Sequence, residues 1–395
     1  MNRRKFLSSS VVASGTLLFP NFLQGFSSVN DLASRSGKVL VVIQLSGGND
    51  GLNTIIPYEN DVYYQMRPTL SIAKKEVLQL GEDAGFHPAL ASLRKLYDRG
   101  EMSIINSVGY PNPDRSHFRS MDIWQSGSSS NEYWQTGWLG RYLDSHCFDK
   151  ATHHALEVDE GLSLAMKGKH RNGFALSDAR RMQHIAKNKF LKTVSEHHSD
   201  ANHNLSYLYK TLAGTQQSAT YLYEQSRVHN SKINYPQNQF AKDLKQIAEL
   251  ITADTATQIY YVSLSGFDTH AGQLNRQRRL LETYASAVKA FTDDLKSNSL
   301  FDDTLILTFS EFGRRVAQNA SKGTDHGTAN NVFLMGGQLR KAGFYNAAPD
   351  LLNLKNEDIQ YEIDFRRVYA TILDRWLGGN PKGILQREFA PLGIV

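Results

Sequence analysis

Residues 38–50 read KVLVVIQLSGGND, and this stretch decides the fold class. Six of its first eight residues are aliphatic, without the polar alternation of a strand that has one face in water. Such a run is typical of a strand that is buried on both faces of a parallel sheet. It ends at Gly47 and Gly48, after which Asn49 and Asp50 place polar side chains at the carboxyl end of the strand.

Further apolar runs alternate with segments of helical periodicity. Three more buried strands are predicted at residues 102–108, 259–264 and 304–309. Helices are predicted at residues 88–98, 274–299 and 364–377. Asp364 is the predicted N-cap of the last helix. This alternation predicts an α/β fold with a central, mostly parallel sheet flanked by helices on both faces.

The polar clusters of the chain are spread from residue 47 to residue 327, so distant segments must meet in one domain. Residues 150–255 differ from the rest, because they are rich in His, Gln, Asn and Lys and contain few β-branched runs. Helical patches within them are predicted at residues 176–196, 203–213 and 237–252. We therefore predict one main domain at residues 29–395, with a helical insertion at about 150–255 that lies over the sheet.

Charge and cysteine content exclude several classes of protein. The formal charge of +5 falls to +2 without the N-terminal Arg3, Arg4 and Lys5, and the chain has no concentrated basic stripe, so we predict no nucleic-acid partner. Cys147 is the single cysteine, which excludes an internal disulfide, a Cys-rich zinc module and an iron–sulfur cluster. Any bound metal needs His and carboxylate ligands.

Residues 1–28 resemble a twin-arginine export signal. Arg3 and Arg4 are followed closely by Phe6 and Leu7, and then by a short apolar stretch diluted with Ser and Gly. The resemblance implies transport by the twin-arginine translocase and a periplasmic or exported protein, which is tethered to the membrane if the leader stays uncut. A disordered basic tail with a chance Arg pair is the alternative.

Four short polar clusters follow the predicted strands or a nearby loop. They are GGND at 47–50, GFDTH at 266–270, SEFGR at 310–314 and TDHG at 324–327. Because the carboxyl ends of parallel strands meet at one edge of a sheet, these clusters predict a metal site at that edge.

Asp268 and His270 are the clearest ligand pair. Alternate residues of an extended segment point the same way, so the two side chains can bind one ion together. Alternatively, Asp268 caps the helix that begins near residue 273. Asp325 and His326 supply another carboxylate and imidazole, with Asp325 either a ligand or the group that orients His326.

Asp50 and Glu311 are further candidate ligands. Asp50 follows the first strand through two glycines, which allow close approach of the backbone to an ion, although a simple tight turn would give the same sequence. Glu311 follows a strongly hydrophobic strand, where a carboxylate must be paired or bound to metal. An ion pair with Arg314 or Arg315 is the alternative for Glu311.

A nucleophile is predicted in the segment after the second strand. Ser116 and His117 lie between Arg115 and Arg119, so that a hydroxyl, an imidazole and two guanidinium groups occur within five residues. Such a set offers a nucleophile, a ligand or base, and two anion-binding groups. A helix N-cap at Ser116 is the alternative.

The order of these residues resembles that of the alkaline phosphatase and sulfatase superfamily. More closely, four motifs and the leader resemble the bacterial domain-of-unknown-function family fifteen-hundred-and-one. The motifs are LSGGNDGLNTIIPY at 45–58, GFDTHAGQ at 266–273, SEFGRR at 310–315 and TDHGTAN at 324–330. This resemblance covers nearly the whole chain and implies an alkaline-phosphatase-like fold.

The resemblance also implies the roles of the site residues. Asp50 and Glu311 would hold one divalent metal ion, and Asp268, His270 and His326 the other, with zinc favoured over manganese, magnesium or calcium. Ser116 lies at the expected position of the nucleophile, with the neighbouring His117 as the alternative. Two features differ from the phosphatase pattern, because Phe312 follows Glu311 where those enzymes have an Asp-His pair, and the Asp-x-His spacing is shorter.

The sequence therefore predicts an exported, metal-dependent hydrolase of phosphate or sulfate esters, with a mono- or dinuclear site and a small-molecule or polysaccharide ester as substrate. In this hypothesis Ser116 attacks the ester, while Arg115 or Arg119 neutralises the nonbridging oxygens. The alternative is a non-catalytic, metal-stabilised binding or assembly protein of the cell envelope. The sequence does not predict an oligomeric state.

Overall fold

The computed structural model describes residues 37–147, 152–178, 183–184, 187–189, 193 and 215–395. Its strands, in chain order, are β1 Val39–Ser46, β2 Ile55–Ile56, β3 Leu78–Gln79, β4 Gly85–Phe86, β5 Met102–Gly109, β6 Ala155–Glu157, β7 Phe174–Ala175, β8 Ile259–Ser265, β9 Thr304–Phe309, β10 Asn330–Met335, β11 Gly343–Phe344 and β12 Ile363–Asp364. The α-helices are α1 Asp61–Met66, α2 Arg94–Asp98, α3 His117–Ser126, α4 Trp138–His146, α5 Gln239–Thr252, α6 Gln273–Ser297, α7 Phe365–Thr371 and α8 Pro381–Leu385. Residues 215–225 are also helical.

Strand β1 lies inside a sheet that has nine strands in the described residues, with the order β11-β5-β10-β9-β1-β8-β6-β7 and with β12 beside β5. It pairs in parallel with β8 on one side and with β9 on the other. Strand β10 is antiparallel to both of its neighbours, β9 and β5. The predicted α/β class with a mostly parallel central sheet is confirmed.

Alternate side chains of β1 enter two separate hydrophobic cores. Val39, Val41 and Ile43 pack in the core that contains α5 and α6. Leu40 and Val42 pack in the opposite core, which contains α3, α4 and α7. Because successive residues of a strand point to opposite faces, helices cover both faces of the sheet, as predicted.

Most predicted elements are present, with local differences. The predicted helix at 88–98 is a 3-10 helix over Pro88–Leu93 that continues as α2. The last predicted helix is α7 followed by a π-helix over Ile372–Trp376, and the Asp364 side chain caps it by accepting a hydrogen bond from the Arg366 N–H.

The segment predicted as a helical insertion is not helical throughout its described part. Within 150–255, strands β6 and β7 extend the main sheet beyond β8. The predicted helix at 237–252 is present as α5. The predicted helix at 203–213 lies outside the described residues, as does most of the one at 176–196, and the extent of the insertion stays a prediction.

The predicted leader, residues 1–28, also lies outside the described residues. Among the helices that the structure does describe, none combines the length and the apolar character needed to cross a bilayer.

One edge of the sheet brings the polar clusters together. The loops that begin at Gly47, Gly266 and Ser310 leave the carboxyl ends of the adjacent strands β1, β8 and β9. Strand β10 runs the other way, so the loop that precedes it, with His326, lies at the same edge. Helix α3, which follows β5, begins there as well.

Glu157, at the carboxyl end of β6, makes stability depend on pH. Its side chain is buried, and burial raises the pKa of its carboxyl group from 4.5 to about 7. The folded protein therefore binds this proton more tightly than the unfolded chain does. The resulting stabilisation is complete below the pKa that the Glu157 carboxyl group has in the unfolded chain. It is lost as the pH rises through the pKa of this group in the folded protein.

We expect Glu157 to lower the free energy of unfolding by about 3 kcal/mol between about pH 5 and about pH 8. In the wild-type protein the Ser163 N–H donates to the Glu157 carboxylate at 2.7 Å. Glu157→Gln should remove the pH-dependent part of the stability, because an amide does not titrate and its oxygen can still accept this hydrogen bond. Urea denaturation of both proteins at the two pH values measures the difference. An equal fall in both proteins would contradict the assignment.

Candidate metal centre

Close packing of two loops shapes the edge of the site. Gly47 has a φ of +117°, and a Cβ atom added to it would lie 2.4 Å from the main-chain nitrogen of Asp268. Only glycine combines this backbone conformation with such an approach. Gly47 therefore lets the Asp268 loop come close to the end of β1, and Gly48 makes room for the Phe312 ring, so the two glycines have a packing role.

Three imidazoles converge on one carboxylate oxygen. The Nε2 atoms of His270, His326 and His117 lie 3.1, 3.2 and 3.5 Å from Asp268 Oδ1. Ligand atoms of His117, Asp268 and His326 all lie within 4.8 Å of one another, and His270 Nε2 is 2.9 Å from His326 Nε2. The structure thus brings together three of the predicted metal ligands and the predicted catalytic His117.

Each of these imidazoles has its other nitrogen fixed by an oxygen. His117 Nδ1 lies 3.0 Å from Glu311 Oε1, and His270 Nδ1 lies 3.1 Å from Asp325 Oδ1. His326 Nδ1 lies 2.7 Å from the main-chain carbonyl oxygen of Arg115. A carbonyl and an ionised carboxylate only accept hydrogen bonds, so each Nδ1 carries the proton and, in a neutral ring, Nε2 carries the lone pair.

The convergence of these lone pairs fits a bound cation. Two unprotonated Nε2 atoms 2.9 Å apart, in His270 and His326, repel each other unless a proton or a metal ion lies between them. His117 Nε2 is buried and makes no hydrogen bond within the described residues. Imidazole rings with oriented Nδ1–H groups and a shared carboxylate form the donor set that zinc prefers, so the residues fit such an ion.

Electrostatics keep the carboxylate ionised. Burial raises the pKa of Asp268, but the hydrogen bond from Arg314 and its positive charge outweigh this and hold that pKa well below its usual range. Burial lowers the pKa of His326, which favours the neutral ring. The hydrogen bond with Glu311 raises the pKa of His117.

Arg314 holds the loops of the site together. Its guanidinium is fully buried and donates to the carbonyl oxygens of Gly47 and Gly48, which follow β1, and of Phe267, which follows β8. It also donates to the Thr324 carbonyl at 2.8 Å and to Asp268 Oδ1 at 2.8 Å. Arg314, which the sequence offered as a partner of Glu311, is instead the ion-pair partner of Asp268.

Asp50 and Glu311, the predicted ligands of a second metal ion, have protein partners. Asp50 is buried and forms an ion pair with the fully buried Arg67 at 2.6 Å, and it also accepts from Gln273. Glu311 is fully buried and accepts from the Gly47 N–H at 2.8 Å, besides its contact with His117. The structure therefore places Asp50 and Glu311 in two different networks.

Asp325 orients a different histidine from the one expected. It contacts Nδ1 of His270 and accepts from Asn319 at 3.1 Å, whereas the Arg115 carbonyl holds His326. Adjacent residues of an extended segment point in opposite directions, which explains why Asp325 does not reach its own neighbour.

The predicted nucleophile segment lies at the start of α3. Ser116 is the exposed N-cap residue, and its side chain makes no cap hydrogen bond. The guanidinium of Arg115 pairs with the buried Asp358, and that of Arg119 donates to main-chain carbonyls, including that of Ser130 at 2.9 Å. In this structure the two guanidinium groups are therefore engaged elsewhere.

Arg67 is a residue of this region that the sequence did not indicate. It donates to Asp50, to Asn53 Oδ1 at 3.0 Å and to the carbonyl oxygens of Val316 and Arg315. It lies in a short segment between α1 and the next loop, without any motif around it. No local pattern could have identified a partner so far along the chain from residues 315 and 316.

Replacement of Arg314 tests its structural role. Arg314→Lys keeps the charge but cannot supply donors to all five acceptors, so we expect the free energy of unfolding to fall by about 3 kcal/mol. The matched control is Arg315→Lys, whose partner Glu357 is largely exposed, with an expected effect below about 1 kcal/mol. Denaturant titration measures both values, and equal effects would contradict the assignment.

The chain is similar to several solved structures. The sulfatase PsFucS1 from Pseudoalteromonas sp. is 12% identical, with 90% of this chain and 71% of that chain covered and a TM-score of 0.42. The lipoteichoic acid synthase LtaP from Listeria monocytogenes is 11% identical, with 82% and 72% covered and a TM-score of 0.37. The C-terminal periplasmic domain of EcEptC from Escherichia coli, in complex with Zn, is 9% identical, with 80% and 77% covered and a TM-score of 0.36.

No curated protein matches the chain in sequence. A family model described as "Protein of unknown function (DUF1501)" matches residues 76–382, which is more than half of the chain. The protein therefore belongs to this family.

Proposed function

We propose that the protein is an exported, metal-dependent hydrolase of phosphate or sulfate esters. The observation that carries this proposal is the convergence of the Nε2 atoms of His117, His270 and His326 on Asp268 Oδ1. These four residues would hold a divalent ion, with zinc the best match to a set of imidazoles and one carboxylate. When bound, such an ion lowers the pKa of an oxygen nucleophile and stabilises negative charge on the ester.

The start of α3 supports an anionic substrate. The first intrahelical hydrogen bond joins the Ser120 N–H to the Ser116 carbonyl, so the N–H groups of residues 117–119 have no partner within the helix. The Ser116 side chain does not cap them. Free N–H groups at a helix N-terminus bind phosphate and similar anions, and here they adjoin the ligand His117.

In this proposal the Ser116 hydroxyl is the nucleophile. Its oxygen displaces the alcohol half of the ester, which leaves with a proton, and water then releases phosphate or sulfate from Ser116. The helix N-terminus takes over the anion-binding role that was expected of Arg115 and Arg119. The separate networks of Asp50 and Glu311 favour one metal ion over two.

One observation favours a second candidate function. With His117 included, the centre has four protein ligands, and structural zinc sites are closed in this way, whereas catalytic sites keep a position open. A non-catalytic, metal-stabilised binding or assembly protein of the cell envelope would have the same centre. Turnover of an ester by metal-loaded protein separates the two candidates.

The metal prediction concerns composition and affinity. We expect about one equivalent of divalent metal per chain in protein matured in the cell. Asp325→Ala should weaken metal affinity about 10- to 100-fold, because it removes the acceptor of the His270 Nδ1–H, and His270→Ala should weaken it further. Elemental analysis and competition with a chelator measure these effects.

His146→Ala is the control for the histidine variant, because His146 is exposed and contacts Ser145 instead of the centre. The same metal content in His270→Ala and His146→Ala would overturn the assignment of the centre.

The nucleophile prediction concerns turnover. Ser116→Ala should lower the hydrolysis of nitrophenyl phosphate, nitrophenyl sulfate or a phosphodiester by about 1,000-fold or more, with metal content unchanged. Ser145→Ala, which changes another exposed serine, should leave the rate unchanged. Full activity in Ser116→Ala would exclude Ser116, and metal-loaded wild-type protein without turnover on any probe would favour the binding protein.

A further inference from the structure

The turn that leads into α3 carries three groups of the candidate site in consecutive residues. The main-chain carbonyl of Arg115 accepts from Nδ1 of His326 at 2.7 Å. Ser116, the proposed nucleophile, and His117, a candidate ligand, follow directly in the chain. A shift of this turn would therefore move an orienting oxygen, a hydroxyl and an imidazole together, so whatever fixes the turn also fixes the nucleophile relative to the metal centre.

Asp114 holds this turn with its side chain and with both of its main-chain polar groups. Its Oδ1 accepts from the Ser116 N–H at 2.7 Å, which is the two-residue reach of an Asx turn. Its carbonyl oxygen accepts from the Ser120 hydroxyl at 2.6 Å. Its N–H donates to the Tyr110 hydroxyl at 3.2 Å. Asp114 is thus fixed on both sides of its own Cα atom.

The peptide group between residues 115 and 116 links Asp114 to the metal centre. This peptide bond is trans, so its N–H and its C=O lie in one plane and point in opposite directions. Asp114 Oδ1 accepts from the N–H side, and the carbonyl on the other side accepts from His326 Nδ1. The two side chains therefore hold the same rigid plane from opposite edges, and a rotation that breaks one hydrogen bond weakens the other.

Tyr110 and Ser120 anchor Asp114 to the hydrophobic core. Both residues are buried, and their hydroxyl oxygens lie 3.1 Å apart. Because the Ser120 proton is donated to the Asp114 carbonyl, the Tyr110 hydroxyl is the donor between these two oxygens. The Tyr110 ring packs edge-on against Phe365, the first residue of α7, with 5.8 Å between the ring centroids. The position of Asp114 is thereby set by the core beneath the turn.

The three residues before Asp114 are restricted as well. Pro111 and Pro113 each have a φ angle fixed by their rings. Asn112, between them, has a φ of +51°, a left-handed conformation that Asn adopts more readily than most residues. Since few other conformations compete with this backbone, loss of the Asp114 carboxylate should act on the peptide group that follows it and leave the path of the loop intact.

The hydrogen bond of Asp114 also leaves the start of α3 available. Its acceptor Oδ1 binds the Ser116 N–H, which precedes the first helical residue, His117. It therefore does not occupy the N–H groups of residues 117–119, to which the proposed function assigns the anion. This placement separates a residue that orients the turn from one that caps the helix.

We propose that Asp114 is a positioning residue that couples the proposed nucleophile Ser116 to the metal centre. It acts through the 115–116 peptide group and sets the orientation of His326 on one side and of Ser116 on the other. Its catalytic meaning rests on the proposed function. The orientation of His326 by Asp114 is a property of the fold, so it can be measured in protein without metal.

The test compares two replacements of Asp114 in the full chain. Asp114→Ala removes the acceptor of the Ser116 N–H. Asp114→Asn keeps an amide oxygen that can accept the same hydrogen bond, and Asn also favours Asx turns. Asp122→Ala, which removes an exposed carboxylate from α3, is the control for the change of charge. Only Asp114→Ala should change the site.

The first readout is hydrogen exchange of the His326 Nδ1–H, followed by NMR in metal-free protein with isotope-labelled histidine. The hydrogen bond with the Arg115 carbonyl slows this exchange. Asp114→Ala should speed it at least about fivefold, the value of one hydrogen bond, and Asp114→Asn should restore the wild-type rate. The main-chain N–H groups of β1 are the reference, because a loss of global stability would speed their exchange too.

Metal affinity and turnover are the second readout. Asp114→Ala should weaken zinc affinity about 10-fold, the lower end of the effect of residues that orient a ligand, because Asp114 acts on His326 through a peptide group. It should lower the turnover of a nitrophenyl ester about 100-fold, because nucleophile and metal centre lose their mutual position. Asp114→Asn should restore both quantities. Competition with a chelator and initial rates measure them.

The outcomes distinguish this proposal from the proposed function. If Asp114→Ala does not fold, Tyr110→Phe decides, because it removes the hydroxyl that holds the Asp114 N–H, keeps the ring beside Phe365 and should also speed exchange of the His326 proton. Equal exchange in wild type and the variant, or the same defect in Asp114→Asn as in Asp114→Ala, would overturn the positioning role. Wild-type protein that binds no metal and hydrolyses no ester would overturn the proposed function, and the exchange rates would still decide on Asp114.

Discussion

The buried guanidinium of Arg314 is the interaction on which the candidate site depends. It joins main-chain carbonyls at the carboxyl ends of β1 and β8 to the loop that carries His326, and it pairs with Asp268. Only a planar group with five donors can satisfy acceptors from three loops at once. Its positive charge also lies beside the Asp268 carboxylate, on which the imidazoles converge. Arg314 therefore both fixes the positions of the loops and keeps Asp268 ionised.

Three carboxylates of the region have distinct roles although they all follow strands or loops at the same edge. Asp268 faces the imidazoles, and Glu311 contacts Nδ1 of His117, the nitrogen that points away from Asp268. Asp50 pairs with Arg67 in a separate buried network. A buried charge is stable only with a partner, and the partner decides what the group can do. The environment of each carboxylate therefore distinguishes a potential ligand from a supporting group.

The long buried strands could be predicted from sequence because both of their faces are apolar, as the run at 39–46 shows. Strand β10 and the short β6 and β7 could not, since β10 begins with Asn330 and Asn331 and the others have only three and two residues. The ligand candidates at 268, 270 and 326 followed from strand ends and local spacing. The hold of the Arg115 carbonyl on His326 and the ion pairs Arg67–Asp50 and Arg115–Asp358 did not, because these partners meet only through the tertiary fold.

His326 differs from the other two imidazoles in what orients it. His117 and His270 rely on carboxylate side chains, which a single mutation can change, whereas His326 relies on the main-chain carbonyl of residue 115. Every amino acid supplies that oxygen. During divergence of the family, the basicity of two imidazoles can thus be tuned residue by residue, while the third keeps its orientation as long as the backbone before α3 keeps its path.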